Sequence, residues 1–144
     1  MFKIKVDDLI HKYPDGTQAL SGANIDVKEG EFLAILGANG SGKTTLLKHF
    51  NGLLKPASGS VTLDNKALSE FQSGEVFRKV GMVFQDPSDQ LIAPTVEEDV
   101  AFGPTNLGLN YDETMSRVNT ALKLVKMKEF AKKAIHALSY GQSK

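Results

Sequence analysis

The chain is predicted to be an α/β fold, a mixed sheet packed on helices and carrying an added antiparallel β layer. Three patterns predict it. Phe32-Leu33-Ala34-Ile35-Leu36 is apolar throughout, as in a parallel strand covered on both faces. The sequence turns helical just beyond, from Lys43 through Phe50, and again near Asp112, where Met115, Val118, Leu122 and Val125 recur every three or four residues. Phe2, Ile4 and Val6 alternate with Lys3, Lys5 and Asp7, the period-2 signal of a half-buried strand.

The remaining elements follow in order. Tyr13-Pro14-Asp15-Gly16 predicts a turn, with proline second and glycine fourth. A second strand is expected from about Ala19 to Val27. Gly52 suits the C-terminal cap of the helix that starts at Lys43. Pro56-Ala57-Ser58-Gly59 predicts a turn and Ser60 to Leu63 a short strand, while Leu68 to Lys79 suggests one or two helical turns. Gly81 to Gln85 is expected to be the next strand, ended by Asp86-Pro87-Ser88-Asp89. Thr95 and Glu98 have capping-box spacing, so a helix should start at Val96 and stop near Gly103-Pro104. A short helix is expected from about Lys128 to Lys133.

Composition narrows the function classes. The 144 residues carry 17 Lys+Arg and 17 Asp+Glu, a balance that argues against a strongly basic nucleic-acid binder. Cysteine is absent, which excludes thiol catalysis and thiolate metal sites within this stretch. The longest apolar run, Phe32 to Ala38, is too short to span a bilayer, and the start lacks a signal peptide's apolar core. A cytosolic chain, or one peripheral to a membrane through a partner, is expected. His11, His49 and His136 lack ligand-type spacing, and Lys123, Lys126, Lys128, Lys132 and Lys133 suggest a solvated helix face.

One segment carries specific chemistry. Gly37-Ala38-Asn39-Gly40-Ser41-Gly42-Lys43-Thr44 fits G-x-x-x-x-G-K-[ST] in full, between an apolar stretch and a helix. Its glycines allow successive N–H groups to turn inward and let phosphate oxygens approach. The helix that follows aims its positive end at the same anion. Lys43 is placed for the β- and γ-phosphates, Thr44 for Mg²⁺, and Thr45 belongs to the same phosphate-binding turn. A chance match occurs at a given position with a probability on the order of 10⁻⁵ to 10⁻⁴. Nucleotide phosphate binding is therefore predicted.

Four further segments make the chain resemble the ATP-binding subunits of ABC transporters. Tyr13 stands where that family sets an aromatic ring against adenine, a contact tolerant of base identity. Gln85, in Val83-Phe84-Gln85-Asp86-Pro87, is similar to the family's Q-loop glutamine, a neutral amide that ligates Mg²⁺ or orients water. Leu138-Ser139-Tyr140-Gly141-Gln142 is similar to the signature Leu-Ser-Gly-Gly-Gln, with Tyr140 in place of the commoner glycine. The resemblance implies that Ser139, Gly141 and Gln142 meet the γ-phosphate of ATP held by an opposite subunit. Asp89 to Pro104, followed by Asn106-Leu107-Gly108-Leu109, resembles the ATPases of energy-coupling-factor and cobalt/nickel importers. In those the region after the Q-loop forms a groove for a transmembrane subunit.

The resemblance implies a phosphate-loop core over about residues 1–90, a helical subdomain over about 91–138 and the signature at 138–142. It also implies ATP and Mg²⁺ as cofactors, a second ATPase subunit (a copy or a paralogue), and a position at the cytoplasmic face of the cell membrane. No nucleic-acid partner is expected. The family continues past the signature with an apolar strand ending Asp-Glu and later a histidine, neither of which lies within the 144 residues. This stretch alone is therefore expected to hydrolyse ATP poorly or not at all, to leave an open edge on Phe32–Leu36, and to have almost no helix behind Ser139. Two other readings stand beside the importer: a soluble ABC-type ATPase acting on nucleic acid or ribosomes, and a truncated, non-functional product.

Overall fold

The computed structural model describes residues 2–72 and 74–144 and divides into two compact units, Met1–Met82 and Val83–Lys144. The first unit is built on a sheet of four antiparallel strands in the order β2-β1-β3-β4: β1 (Phe2–Lys12), β2 (Gln18–Lys28), β3 (Ser58–Leu63) and β4 (Lys66–Ala67). This is the expected antiparallel layer, with both long strands a residue or more longer than their patterns suggested. The period-2 pattern holds at Val6, which is buried; the side chain of Phe2 lies outside the described residues.

Val6 and Leu9 are both buried although three residues apart, which a regular strand forbids. A bulge reconciles them. Asp8 has φ 46° and the register with β2 shifts between Val6 and Leu9. The bulge brings backbone close on the other side: a Cβ at Gly59 (φ 85°) would stand 2.2 Å from the Asp8 carbonyl oxygen, so only glycine fits there.

The turn at Tyr13–Gly16 closes as predicted, with the Gly16 N–H donating to the Tyr13 carbonyl at 2.9 Å. Asp64 and Asn65, both at positive φ, turn β3 into β4, which periodicity alone did not announce. Helix α1 (Lys43–Phe50) ends with Gly52 at φ 76°, just past its Asn51 cap, where glycine is favoured. Val6, Leu9, Leu20, Leu46, Phe50 and Val61 form the core, so β1, β2 and β3 clasp α1. Leu68–Glu70 and Val76–Arg78 make the two helical turns expected between Leu68 and Lys79; Ser73, in the same stretch, lies outside the described residues.

Two expected strands are not formed. Phe32–Leu36 and Gly81–Gln85 join no ladder, and no parallel pair occurs among the described residues. Ile35 packs on the core, yet Phe32 is 97% and Leu36 90% exposed. An apolar run becomes a doubly covered strand only where neighbouring strands and a second layer meet it. Neither flanks these residues here.

The second unit holds α2 (Val96–Asn106) and α3 (Tyr111–Leu124). The Thr95 hydroxyl and Glu98 form the predicted capping box. The N–H groups of Val96 and Glu97 donate to the carbonyls of Lys133 and Ala131, so the start of α2 is tied to the later chain. Contrary to expectation, α2 runs past Gly103-Pro104 to Asn106: Pro104 forfeits one N–H, but the Leu107 N–H donates to Gly103 at 3.1 Å and the last turn survives. In α3 the buried positions are Thr114, Val118 and Leu122 rather than the whole predicted stripe, because Val125 falls at the C-cap and is exposed. Val96, Val118 and Leu122 form a second core with Val100, Met127 and Leu138 beside it. The helix expected over Lys128–Lys133 is a single turn, Lys128–Phe130. The chain closes in α4 (Tyr140–Ser143).

Candidate functional site

The phosphate-type loop runs directly into α1. Gly40 and Gly42 have φ of 79° and 87°, conformations that disfavour side chains. Gly42 is also pressed on β2, where a Cβ would meet the Ala19 carbonyl oxygen at 2.5 Å. Gly37 needs its small size for another reason: a Cβ there would sit 2.8 Å from Ser41 Oγ, filling the concavity of the loop. Lys43 Nζ donates to the carbonyls of Gly37 (2.8 Å) and Ala38 (2.6 Å) and approaches Ser41 Oγ at 3.3 Å. The ammonium is thus held over the loop by exposed backbone oxygens and the Ser41 hydroxyl.

Helix α1 starts at Gly42 with no side-chain cap and no acidic residue in its first turn. Its first N–H groups therefore have no side chain competing for them. Thr44 is exposed, whereas Thr45 is buried and faces inward. The Tyr13 hydroxyl lies 2.9 Å from Thr45 Oγ1, which holds Tyr13, 36% exposed, beside the helix that follows the loop. Behind it, the His11 ring meets Tyr13 and His49 edge-on, both at 4.8 Å between centroids. His11 and His49 are buried, and their nearer nitrogens approach the carbonyls of Lys55 (3.3 Å) and Thr45 (2.8 Å). Sequence spacing could not reveal this backing, since residues 11, 13, 45 and 49 converge only through the strand–helix packing.

The second unit gathers Gln85 and the Ser139–Gln142 segment. The Ser139 hydroxyl accepts from the Gln142 N–H at 3.3 Å, and the Gln142 amide oxygen accepts from the Ser139 N–H at 3.0 Å, a capping box that starts α4. Accepting leaves the Ser139 proton free to be donated. The Gln85 carbonyl receives the Tyr140 hydroxyl at 3.0 Å and Lys144 Nζ at 2.6 Å. Nothing in the sequence signalled either contact. Asp86 caps the turn at Pro87–Asp89, and hydrogen bonds from the Ser88 hydroxyl and N–H hold its carboxyl below the usual carboxylate range.

These donors suit a magnesium nucleotide. The glycine cradle, the uncapped helix start and Lys43 are all anion-directed, and the exposed Thr44 hydroxyl is a hard oxygen ligand suited to Mg²⁺.

Comparisons with known proteins bear on the family and the fold. The family model described as "ABC transporter" matches residues 20–144. The energy-coupling factor transporter ATP-binding protein EcfA of Methanococcus maripaludis is 52% identical over 143 residues, covering 98% of this chain and 51% of that protein. Among solved structures, cbiO1 from Clostridium perfringens, part of the ABC transporter complex cbiONQ, superposes with a TM-score of 0.83 at 44% identity, covering 99% of this chain and 57% of the other. The dimeric ATP-binding cassette MJ0796, in a post-hydrolysis state bound to ADP and Pi, also gives 0.83, at 30% identity, with 97% and 65% covered. The chain thus spans about half the length of the curated relatives it matches. Its glycine loop, its fold and a family match from residue 20 onward agree: the chain belongs to the ABC transporter family.

Proposed function

We propose that the protein carrying this chain is the ATP-binding and ATP-hydrolysing subunit of an energy-coupling-factor-type importer for a metal ion, such as cobalt or nickel, or for a vitamin. The observation that carries the reading is the Gly37–Thr44 loop, with its glycine cradle, its overlying Lys43 and the uncapped start of α1. Relatives named as energy-coupling factor ATP-binding proteins support the subfamily, and a cbiO1 neighbour described as part of a transporter complex supports a membrane partner.

In this reading Gly37, Ala38, Asn39, Gly40, Ser41, Gly42 and Thr45 offer backbone N–H groups to the phosphates, and Lys43 binds them through its side chain. Tyr13 stacks on adenine. Thr44 and Gln85 hold Mg²⁺, which, when bound, neutralises charge on the β- and γ-phosphate oxygens. Ser139, Gly141 and Gln142 serve the nucleotide of a second ATPase subunit, which is a copy or a paralogue. Residues about 1–90 act as the phosphate-loop core and about 91–138 as the helical subdomain. The groove after Gln85 receives the transmembrane subunit, so the protein works at the cytoplasmic face of the membrane.

Lys43→Ala tests the central role. Removing one charge-assisted contact should weaken ATP binding roughly 10- to 100-fold, with the circular-dichroism spectrum unchanged. Titration with a fluorescent ATP analogue reads this directly; equal affinity in both proteins would overturn the assignment.

A further inference from the structure

We infer that Tyr140 is a positioning residue: its hydroxyl holds the Gln85 peptide, so that movement of the Ser139–Gln142 segment is passed to Gln85 of the same subunit. The inference rests on the reading of Gln85 as a Mg²⁺ ligand and of Ser139–Gln142 as the segment facing a second subunit's nucleotide.

The geometry carries it in three steps. First, Tyr140 is 66% exposed, so the residue contributes little to any core. Its hydroxyl nevertheless donates to the Gln85 carbonyl at 3.0 Å, across 55 residues of sequence. Second, the peptide it reaches is fixed from several sides. Lys144 Nζ donates to the carbonyls of Phe84 (2.5 Å) and Gln85 (2.6 Å), and the Phe84 N–H donates to Gln90 Oε1 at 3.1 Å. With both lone pairs of the Gln85 carbonyl engaged, the starting point of the Gln85 side chain is set by α4. Third, the donor sits one residue after Ser139, whose capping box ties Ser139 through Ser143 into one hydrogen-bonded turn. Any shift of Ser139 therefore moves the Tyr140 hydroxyl. A glycine at position 140 has no such hydroxyl, so the connection depends on the residue this chain carries there.

The test uses the intact protein that carries this chain, with Tyr140→Phe as the main variant, since it keeps the ring and removes only the donor. A double variant, Tyr140→Phe with Lys144→Ala, covers compensation by the ammonium, and Tyr111→Phe on α3 is the control. Loss of the hydrogen bond should move the Gln85 carbonyl ¹³C resonance upfield in Tyr140→Phe and further in the double variant. The Mg²⁺ concentration that half-saturates ATP turnover should rise about fivefold in Tyr140→Phe, while ATP affinity without Mg²⁺ stays unchanged. A Gln85 resonance unmoved even in the double variant would overturn the contact. A shifted resonance with an unchanged Mg²⁺ requirement would overturn the positioning role, leaving only a structural bond. Absence of Mg²⁺-dependent turnover in the unsubstituted protein would instead overturn the ATPase reading, and the coupling with it, because the resonance shift does not depend on nucleotide.

Discussion

His49 sits at the back of the phosphate loop with no solvent exposure. Its Nδ1 must carry the proton, because its partner at 2.8 Å is the Thr45 carbonyl, which can only accept. Its Nε2 is buried without a hydrogen-bond partner, and the His11 ring stands 4.8 Å away. Burial therefore pushes the His49 imidazole below its ordinary 6.5; the Thr45 carbonyl opposes the shift and His11 reinforces it. The sign follows from proton counting: near pH 6 the unfolded chain binds a proton that the folded chain refuses, so stability falls with falling pH. The loss should begin as pH drops through about 6.5 and level off below the depressed native value. Thermal unfolding midpoints between pH 8 and 5 should trace this decline, and His49→Gln should flatten it. An equally steep decline in His49→Gln would assign the effect to another group.

At the scale of elements, what could be read from sequence was what is decided locally. The Thr95–Glu98 capping box lies within four residues, and it is formed. Thr95→Ala should remove a cap that also anchors the Glu98 side chain, costing about 1 kcal/mol. Urea unfolding followed by helical circular dichroism would measure it, and a loss indistinguishable from zero would mean that the Lys133 and Ala131 carbonyls hold the start of α2 unaided. The turn at Tyr13–Gly16, the glycine after α1 and the Ser139 cap were legible for the same reason. What failed depended on partners elsewhere. Phe32–Leu36 has the composition of a central strand, but a strand is a pairing and no partner flanks it among the described residues. Pro104 signalled a stop, yet the backbone bonds of Leu107 carry the helix past it. In the site, the order of Gly37–Thr44 was legible because its chemistry is contiguous. The His11–Tyr13–Thr45–His49 stack and the Tyr140–Gln85 bond join residues 2 to 55 apart and emerged only with the fold.

For the whole molecule, the physical question is what would bring it to a membrane. No helix among the described residues is long and apolar enough to cross a bilayer. The 144 residues carry 17 acidic and 17 basic groups, so their net charge by itself supplies no attraction to anionic headgroups. The proposed importer reading assigns membrane association to a protein partner, and that assignment can be tested directly. Fractionation has diagnostic power for that reason. The protein carrying this chain should be recovered with membranes when the neighbouring membrane subunits are co-expressed, and in the soluble fraction when they are omitted. An exchange of fractions on adding those subunits would support the importer reading and the groove after Gln85 as the docking region. Recovery in the soluble fraction under both conditions would favour a soluble ABC-type ATPase. Recovery with membranes under both would point to a membrane contact that does not depend on those subunits.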